Sequence, residues 1–263
     1  MISLIASDLD GTLLTADKTL PDETFELIEA LYKKGVLFAP ASGRQYANLK
    51  KLFAPVADKV IFIAENGALV VYRDKILFED TIPPEEVMPA VREIRKIDGL
   101  YPMLCTADYS YIESMDHPFS DYAFASYTHC KYVEDLESVA SLPILKIAIH
   151  DRKGSAINCM KRLPEKLPRL RTMISGFDWT DVSSLSANKG EAIRFIREKF
   201  RLHREDCVAF GDHMNDFEML QECGQAFVPE NAYHTILETF PNHIPSAREF
   251  GTIQKCKEIL KSL

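Results

Sequence analysis

The chain lacks the marks of several protein classes. Its six cysteines, Cys105, Cys130, Cys159, Cys207, Cys223 and Cys256, form no Cys-x-x-Cys pair and no zinc-like spacing. That points away from a disulfide framework or zinc centre and toward reduced, mostly buried thiols. No apolar run approaches the roughly 18 residues that a membrane span requires. The N-terminus has no basic stretch and meets an aspartate at position 8, so no secretory leader is expected and a cytoplasmic location is. Positive charge is short as well: 31 Lys and Arg against 39 Asp and Glu leave a net charge of −8. That sign is wrong for coating nucleic acid. A small phosphorylated ligand stays compatible with it, because a metal ion and local donors can reverse the field at one site. No internal repeat, low-complexity tract or long run of like charge interrupts the chain.

What is present reads as a globular protein. The 263 residues are 46% hydrophobic and 27% charged, enough for one large domain or two modest ones with a substantial core. The apolar run Ile2 to Ala6 leads into Ser7-Asp8-Leu9-Asp10-Gly11-Thr12. Such a run predicts a strand buried on both faces, and ligands of open α/β sheets gather at the carboxyl ends of such strands. Two carboxylates one residue apart resist joint ionisation unless a cation or hydrogen-bond donors compensate them. A hard cation such as Mg²⁺, with water and phosphate oxygens completing its shell, suits them, and a carboxylate can attack phosphorus to form an aspartyl-phosphate. The alternative is an Asp-Gly turn after a strand.

Further along, Pro21 and Asp22 open a helical pattern through Phe25, Ile28, Leu31 and Tyr32 that Gly35 closes, and Val36 to Ala41 is a second strand. This parallel crossover returns Ser42-Gly43-Arg44 to the sheet edge of Asp8. Backbone N–H groups before the helix Gln45 to Phe53 could meet an anion there, although Ser-Gly is also ordinary turn chemistry. Arg44 reads as a solvated neighbour rather than a phosphate clamp. Asn66-Gly67, between Val60 to Ala64 and Ala68 to Tyr72, is the strongest hairpin signal in the chain and reads as structural. From Pro83-Pro84 the pattern changes to mixed helices and strands, including helices over 85–97 and 156–167, the latter interrupted by Pro164. Residues 83–184 are therefore expected to be an inserted α+β domain between 1–82 and 185–263. Lys189-Gly190 then opens a helix whose dipole opposes a lysine in its first turn, a placement an anion would explain. Cys207 to Phe210 predicts a buried strand that delivers Gly211-Asp212-His213-Met214-Asn215-Asp216. His213 could ligate a metal, but its neighbours favour oxygen ligation. His203, His234 and His243 are isolated.

Four stations, Asp8-Leu9-Asp10-Gly11-Thr12, Ser42-Gly43-Arg44, Asn188-Lys189-Gly190 and Gly211-Asp212-His213-Met214-Asn215-Asp216, occur in an order and at strand ends that resemble the haloacid dehalogenase superfamily of phosphohydrolases. The large insertion resembles a type IIB cap, and the Gly-Asp-x-x-Asn-Asp ending resembles the Cof-like branch. The resemblance covers nearly the whole chain. It implies an α/β, Rossmann-like core, with a parallel sheet flanked by helices and a mobile α+β cap over residues 83–184. It implies Asp8 as nucleophile and Asp10 as the acid and later the base. Mg²⁺ would be held by the Asp8 carboxylate, the Asp10 carbonyl and Asp212. Phosphate would be held by Ser42, Gly43, Lys189 and Asn215, with the Leu9 amide. Thr12 fits members with an acid/base Asp10, and Asp216 would orient Lys189 or a metal-bound water.

The expected activity is a Mg²⁺-dependent phosphatase acting on small phosphorylated metabolites, sugar phosphates first. A phosphomutase of the phosphomannomutase type and a non-catalytic phosphometabolite-binding protein are the alternatives. The partner is a small phosphate ester, with neither nucleic acid nor membrane; the oligomeric state is not legible. Residues of the Trp179 to Ser183 strand are candidates for choosing the leaving group; the alternative for Trp179 is a place in the cap core.

Overall fold

A computed structural model describes residues 2–263 and divides the chain into two compact units, one of 1–44, 49–78 and 188–263, the other of 45–48 and 79–187. The first unit is built on a five-stranded parallel sheet in the order His243–Ile244, Gln225–Pro229, Cys207–Phe210, Leu4–Ser7, Leu37–Pro40. The interior strand Leu4–Ser7 is buried along its whole length, as an apolar run covered on both faces should be. The helix Thr24–Lys33 buries Leu27, Ile28 and Leu31. It closes where the Gly35 N–H donates to the Tyr32 carbonyl and the Val36 N–H to the Leu31 carbonyl, a paired arrangement that satisfies the last turn. The helix Lys189–Phe200 begins at Asn188, whose side chain accepts the Glu191 N–H, and packs Ala192, Ile193 and Ile196 into the core shared with Leu4, Ala6, Ala39, Cys207 and Ala209.

A smaller sheet of Ile61–Ala64, Leu69–Tyr72 and Lys75–Glu79 joins the same unit, tied to the main sheet by the parallel bridges of Phe38 with Val60 and Ala41 with Ile63. The hairpin expected at Asn66-Gly67 forms, since Ala64 pairs with Leu69. Its connection is four residues rather than two, and Glu65 as well as Asn66 takes a positive φ, 51° and 55°.

The second unit has a six-stranded sheet in the order Leu170–Ile174, Trp179–Ser184, Lys146–Asp151, Leu100–Cys105, Ser110–Ile112, Cys130–Tyr132. Its pairs are antiparallel except the last. Strand alternation gives the sheet two apolar faces. Leu104, Ile147, Ile149 and Val182 pack with Val87, Val91 and Ile94 of the helix Pro84–Arg95, while Met103, Cys105 and Ala148 pack with Phe119 and Ala123 of the helix Phe119–Ser126. The helix expected over 156–167 is corrected to a single α-turn, Cys159–Arg162, and a 3₁₀ turn, Pro164–Lys166. Pro164 breaks the pattern, and the buried Asp151 carboxylate captures the N–H groups of Lys153 and Cys159 and the amide of Asn158. None of the six cysteines is in a disulfide, and five are buried. No helix among the described residues is long and apolar enough to cross a membrane.

Candidate active site

The parallel ladder sets the site. Ser7 lies opposite both Phe210 and Pro40, so the residues that follow these three adjacent strands, Asp8, Gly211-Asp212 and Ala41-Ser42, emerge at one sheet edge. The Asp8 N–H continues the ladder to the Phe210 carbonyl at 2.9 Å. Onto this edge the helix start delivers Lys189, wholly buried, with Nζ 2.5 Å from Asp8 Oδ1 and 2.6 Å from Asp216 Oδ1. Here is the anion that explains a lysine in a first helical turn: not a solvated surface charge but the shared partner of two buried carboxylates.

Asp216 has a second task. Its Oδ2 accepts the N–H groups of Asp212 and His213, both at 3.0 Å, which ties the acidic loop to the ammonium. Thr12 Oγ1 donates to Asp212 Oδ1 at 3.0 Å, and the Thr12 carbonyl accepts from Thr252 Oγ1. Gly11 makes this approach possible: its φ is +88°, and a Cβ there would lie 2.2 Å from Asp212 Oδ2.

Asp8, Asp212 and Asp216 each offer a carboxylate oxygen within 4.8 Å of the others. Burial holds the Asp8 carboxyl well above its ordinary range, and the neighbouring Asp216 adds to this, with Lys189 pulling the other way. Burial and Asp216 likewise push Asp212 up to about 6. Burial would lower the Lys189 ammonium, but Asp216 and Asp8 override it and raise it. Three acids sharing one ammonium form a site of excess negative charge made of hard oxygen donors, which suits a small divalent cation. The side-chain cluster holds Asp216 rather than Asp10, whose expected ligand atom is its carbonyl. The His213 ring packs on Tyr233, 5.4 Å between centroids, and is not a member of the cluster.

Arg44 requires a correction. It stays partly exposed, but it is more than a solvated neighbour: its guanidinium grips the Asp10 carboxylate with Nη2 at 2.9 and 3.0 Å and Nε at 3.2 Å. The residues are 34 apart, and only their arrival at one sheet edge could have signalled the pair. Ser42 is buried, with Oγ accepting the Arg44 N–H at 3.3 Å. Leu9 is buried, and its carbonyl accepts the N–H groups of Thr12, Leu13 and Leu14. Asn215 Nδ2 donates to Asn66 Oδ1 at 3.2 Å, which brings to the site a residue that the sequence reading left to the hairpin.

Residues 5–255 match the family model described as haloacid dehalogenase-like hydrolase. The chain belongs to this family. Among curated relatives, it is 25% identical over 263 residues to the 5-amino-6-(5-phospho-D-ribitylamino)uracil phosphatase of Escherichia coli, covering 99% of this chain and 97% of that protein. It is 26% identical over 253 residues to the HMP-PP phosphatase of Cronobacter sakazakii, covering 93% and 90%. A solved haloacid dehalogenase-like hydrolase from Bacteroides thetaiotaomicron shares the fold, with a TM-score of 0.86 at 21% identity over 98% of this chain and 100% of that one.

Proposed function

We propose that the protein is a Mg²⁺-dependent phosphatase of small phosphorylated metabolites, working through an aspartyl-phosphate on Asp8. The observation that carries this reading is the buried Lys189 ammonium between Asp8 and Asp216, beside Asp212. A buried carboxylate with a cation beside it is what attack on a phosphate dianion needs, because the dianion cannot approach three acids unless cations offset them. The Asp8 and Asp212 carboxylates and the Asp10 carbonyl would hold the Mg²⁺, which when bound supplies positive charge to the phosphoryl oxygens.

In this reading an Asp8 oxygen attacks phosphorus as the bond to the leaving alcohol breaks, and Asp10 gives that alcohol its proton. Water then attacks phosphorus, Asp10 takes the water's proton, and the bond to Asp8 breaks. Ser42, the amides of Gly43 and Leu9, Lys189 and Asn215 hold the phosphoryl group. Thr12 and Asp216 hold Asp212 and Lys189 in place. Residues 83–184, within the unit of 45–48 and 79–187, take the role of a cap that selects the leaving group, with the Trp179–Ser184 strand as a candidate reader. Sugar phosphates are the favoured substrates, a choice supported by the phosphoribityl compound in the name of the Escherichia coli relative.

Purified protein with Mg²⁺ is expected to release phosphate from p-nitrophenyl phosphate, and Asp8→Asn to lower kcat by roughly a thousandfold or more. Undiminished turnover in that variant would remove the covalent route. Phosphate transferred within a hexose phosphate rather than to water would replace the hydrolase with a mutase.

A further inference from the structure

The turn Glu65-Asn66-Gly67 is more elaborate than its hairpin needs. Three successive residues have positive φ, 51°, 55° and 97°, a region that side chains other than glycine and asparagine rarely enter. A two-residue Asn-Gly turn would close such strands with positive φ at its two central residues only, so the conformation of Glu65 is the excess. Backbone strain of this kind gathers where surrounding contacts over-determine it. Here those contacts lead to three separate parts of the candidate site.

The Glu65 N–H donates to the Arg44 carbonyl at 3.2 Å and the Asn66 N–H to the Ser42 carbonyl at 3.0 Å, so the turn braces the backbone on both sides of Gly43. The Asn66 side chain lies over Gly43, where an added Cβ would sit 3.0 Å from Nδ2 and 3.1 Å from Oδ1. The same Oδ1 accepts Asn215 Nδ2. Gly67 lies against the helix start, where a Cβ would be 2.2 Å from the Asn188 carbonyl oxygen and 2.7 Å from the Lys189 nitrogen.

We infer that Asn66 is a positioning residue for the phosphate group: its amide and the left-handed turn that carries it fix Ser42-Gly43, Asn215 and the Lys189 helix start relative to one another. The inference rests on the phosphate roles proposed above for those residues. Phosphate recognition needs donors from several segments aimed at one tetrahedral group, and a small displacement of one of them weakens both binding and turnover. Asn66 touches two of the segments directly through its side chain, and Gly67 packs on the third.

Asn66→Gly tests this, because glycine keeps the positive φ without strain and removes only the amide. With p-nitrophenyl phosphate, kcat/KM is expected to fall about 10- to 100-fold, and inorganic phosphate to bind at least about fivefold more weakly by calorimetry in Mg²⁺, in a protein with an unaltered circular dichroism spectrum. Because Asn66 acts through Asn215, the double variant with Asn215→Ala should lose little more than the weaker single variant, the non-additivity expected of residues in contact. Values within twofold of the wild type for both turnover and phosphate binding, or fully additive losses, would overturn the inference. A wild type that binds phosphate yet hydrolyses no ester would overturn the phosphatase reading alone, since the binding comparison still decides what Asn66 does. A wild type that binds no phosphate would overturn both.

Discussion

Lys189 and His150 are both buried, and they respond to burial in opposite ways. Lys189 finds two carboxylates within 2.6 Å and keeps its charge. Removing one partner of such a group leaves an uncompensated buried charge, so the set Asp8, Lys189 and Asp216 stands or falls together. His150 has only one acid beside it, and burial outweighs that acid. Its ring lies among Trp179 and Phe119, 5.2 and 5.8 Å between centroids, its Nδ1 has no hydrogen-bond partner among the described residues, and Asp178 stands 3.4 Å from Nε2. Burial therefore lowers its pKa below 6.5, with Asp178 opposing and Arg152 assisting. The unfolded chain then binds the proton more readily than the folded one. Stability present above the unfolded value near 6.5 is lost as the pH falls through the lower folded value, by at most about 1.4 kcal/mol per pH unit. Urea midpoints of the wild type are expected to fall between pH 7 and pH 5 more steeply than those of His150→Gln. Equal slopes would mean that folding leaves the histidine pKa where it is in the unfolded chain.

At the scale of elements, Asp151 organises the segment that the sequence misleads about. Three donors, the N–H groups of Lys153 and Cys159 and the Asn158 amide, converge on its buried carboxylate. Asp151→Ala would leave those donors without their acceptor, at a cost of about 1–3 kcal/mol. The change is expected to lower the urea midpoint and speed hydrogen exchange at Cys159 before it does so in the strand Leu100–Cys105. Uniform acceleration across the unit would show that Asp151 holds more than its own loop. This segment also shows where the sequence runs out. Apolar runs ending in Asp8 and Asp212, and the helix closed at Gly35, were legible because their signals lie within a few residues of one another. The 156–167 helix failed because its apolar spacing competes with a carboxylate from the preceding strand, and no local pattern reveals which of them takes the N–H groups. The same limit hid the grip of Arg44 on Asp10 and the contact of Asn66 with Asn215, pairs 34 and 149 residues apart. Lys189 was legible as a lysine misplaced on its own helix dipole, and the fold supplied the two acids that resolve the conflict.

Across the whole molecule, the two units carry separate cores, one around Leu4, Ala39, Ala192 and Ala209, the other around Leu104, Ile147, Ile149 and Val91. Every residue proposed to hold the metal or the phosphate belongs to the first unit: Asp8, Leu9, Asp10, Ser42, Gly43, Lys189, Asp212 and Asn215. A ligand stabilises what it binds by RT ln(1 + [L]/Kd), about 2.7 kcal/mol at a hundred times Kd. Amides that exchange by opening the first unit should therefore slow by up to about a hundredfold when Mg²⁺ and inorganic phosphate are added at that excess, while amides that open only with the second unit should not. Hydrogen exchange measured by mass spectrometry is expected to show the slowing in Leu4–Ser7, Cys207–Phe210 and Lys189–Phe200, and little of it in Leu100–Cys105 and Lys146–Asp151. Equal protection of both sets would mean that the units open as one, and protection of the second set alone would move the binding site out of the unit that holds Asp8.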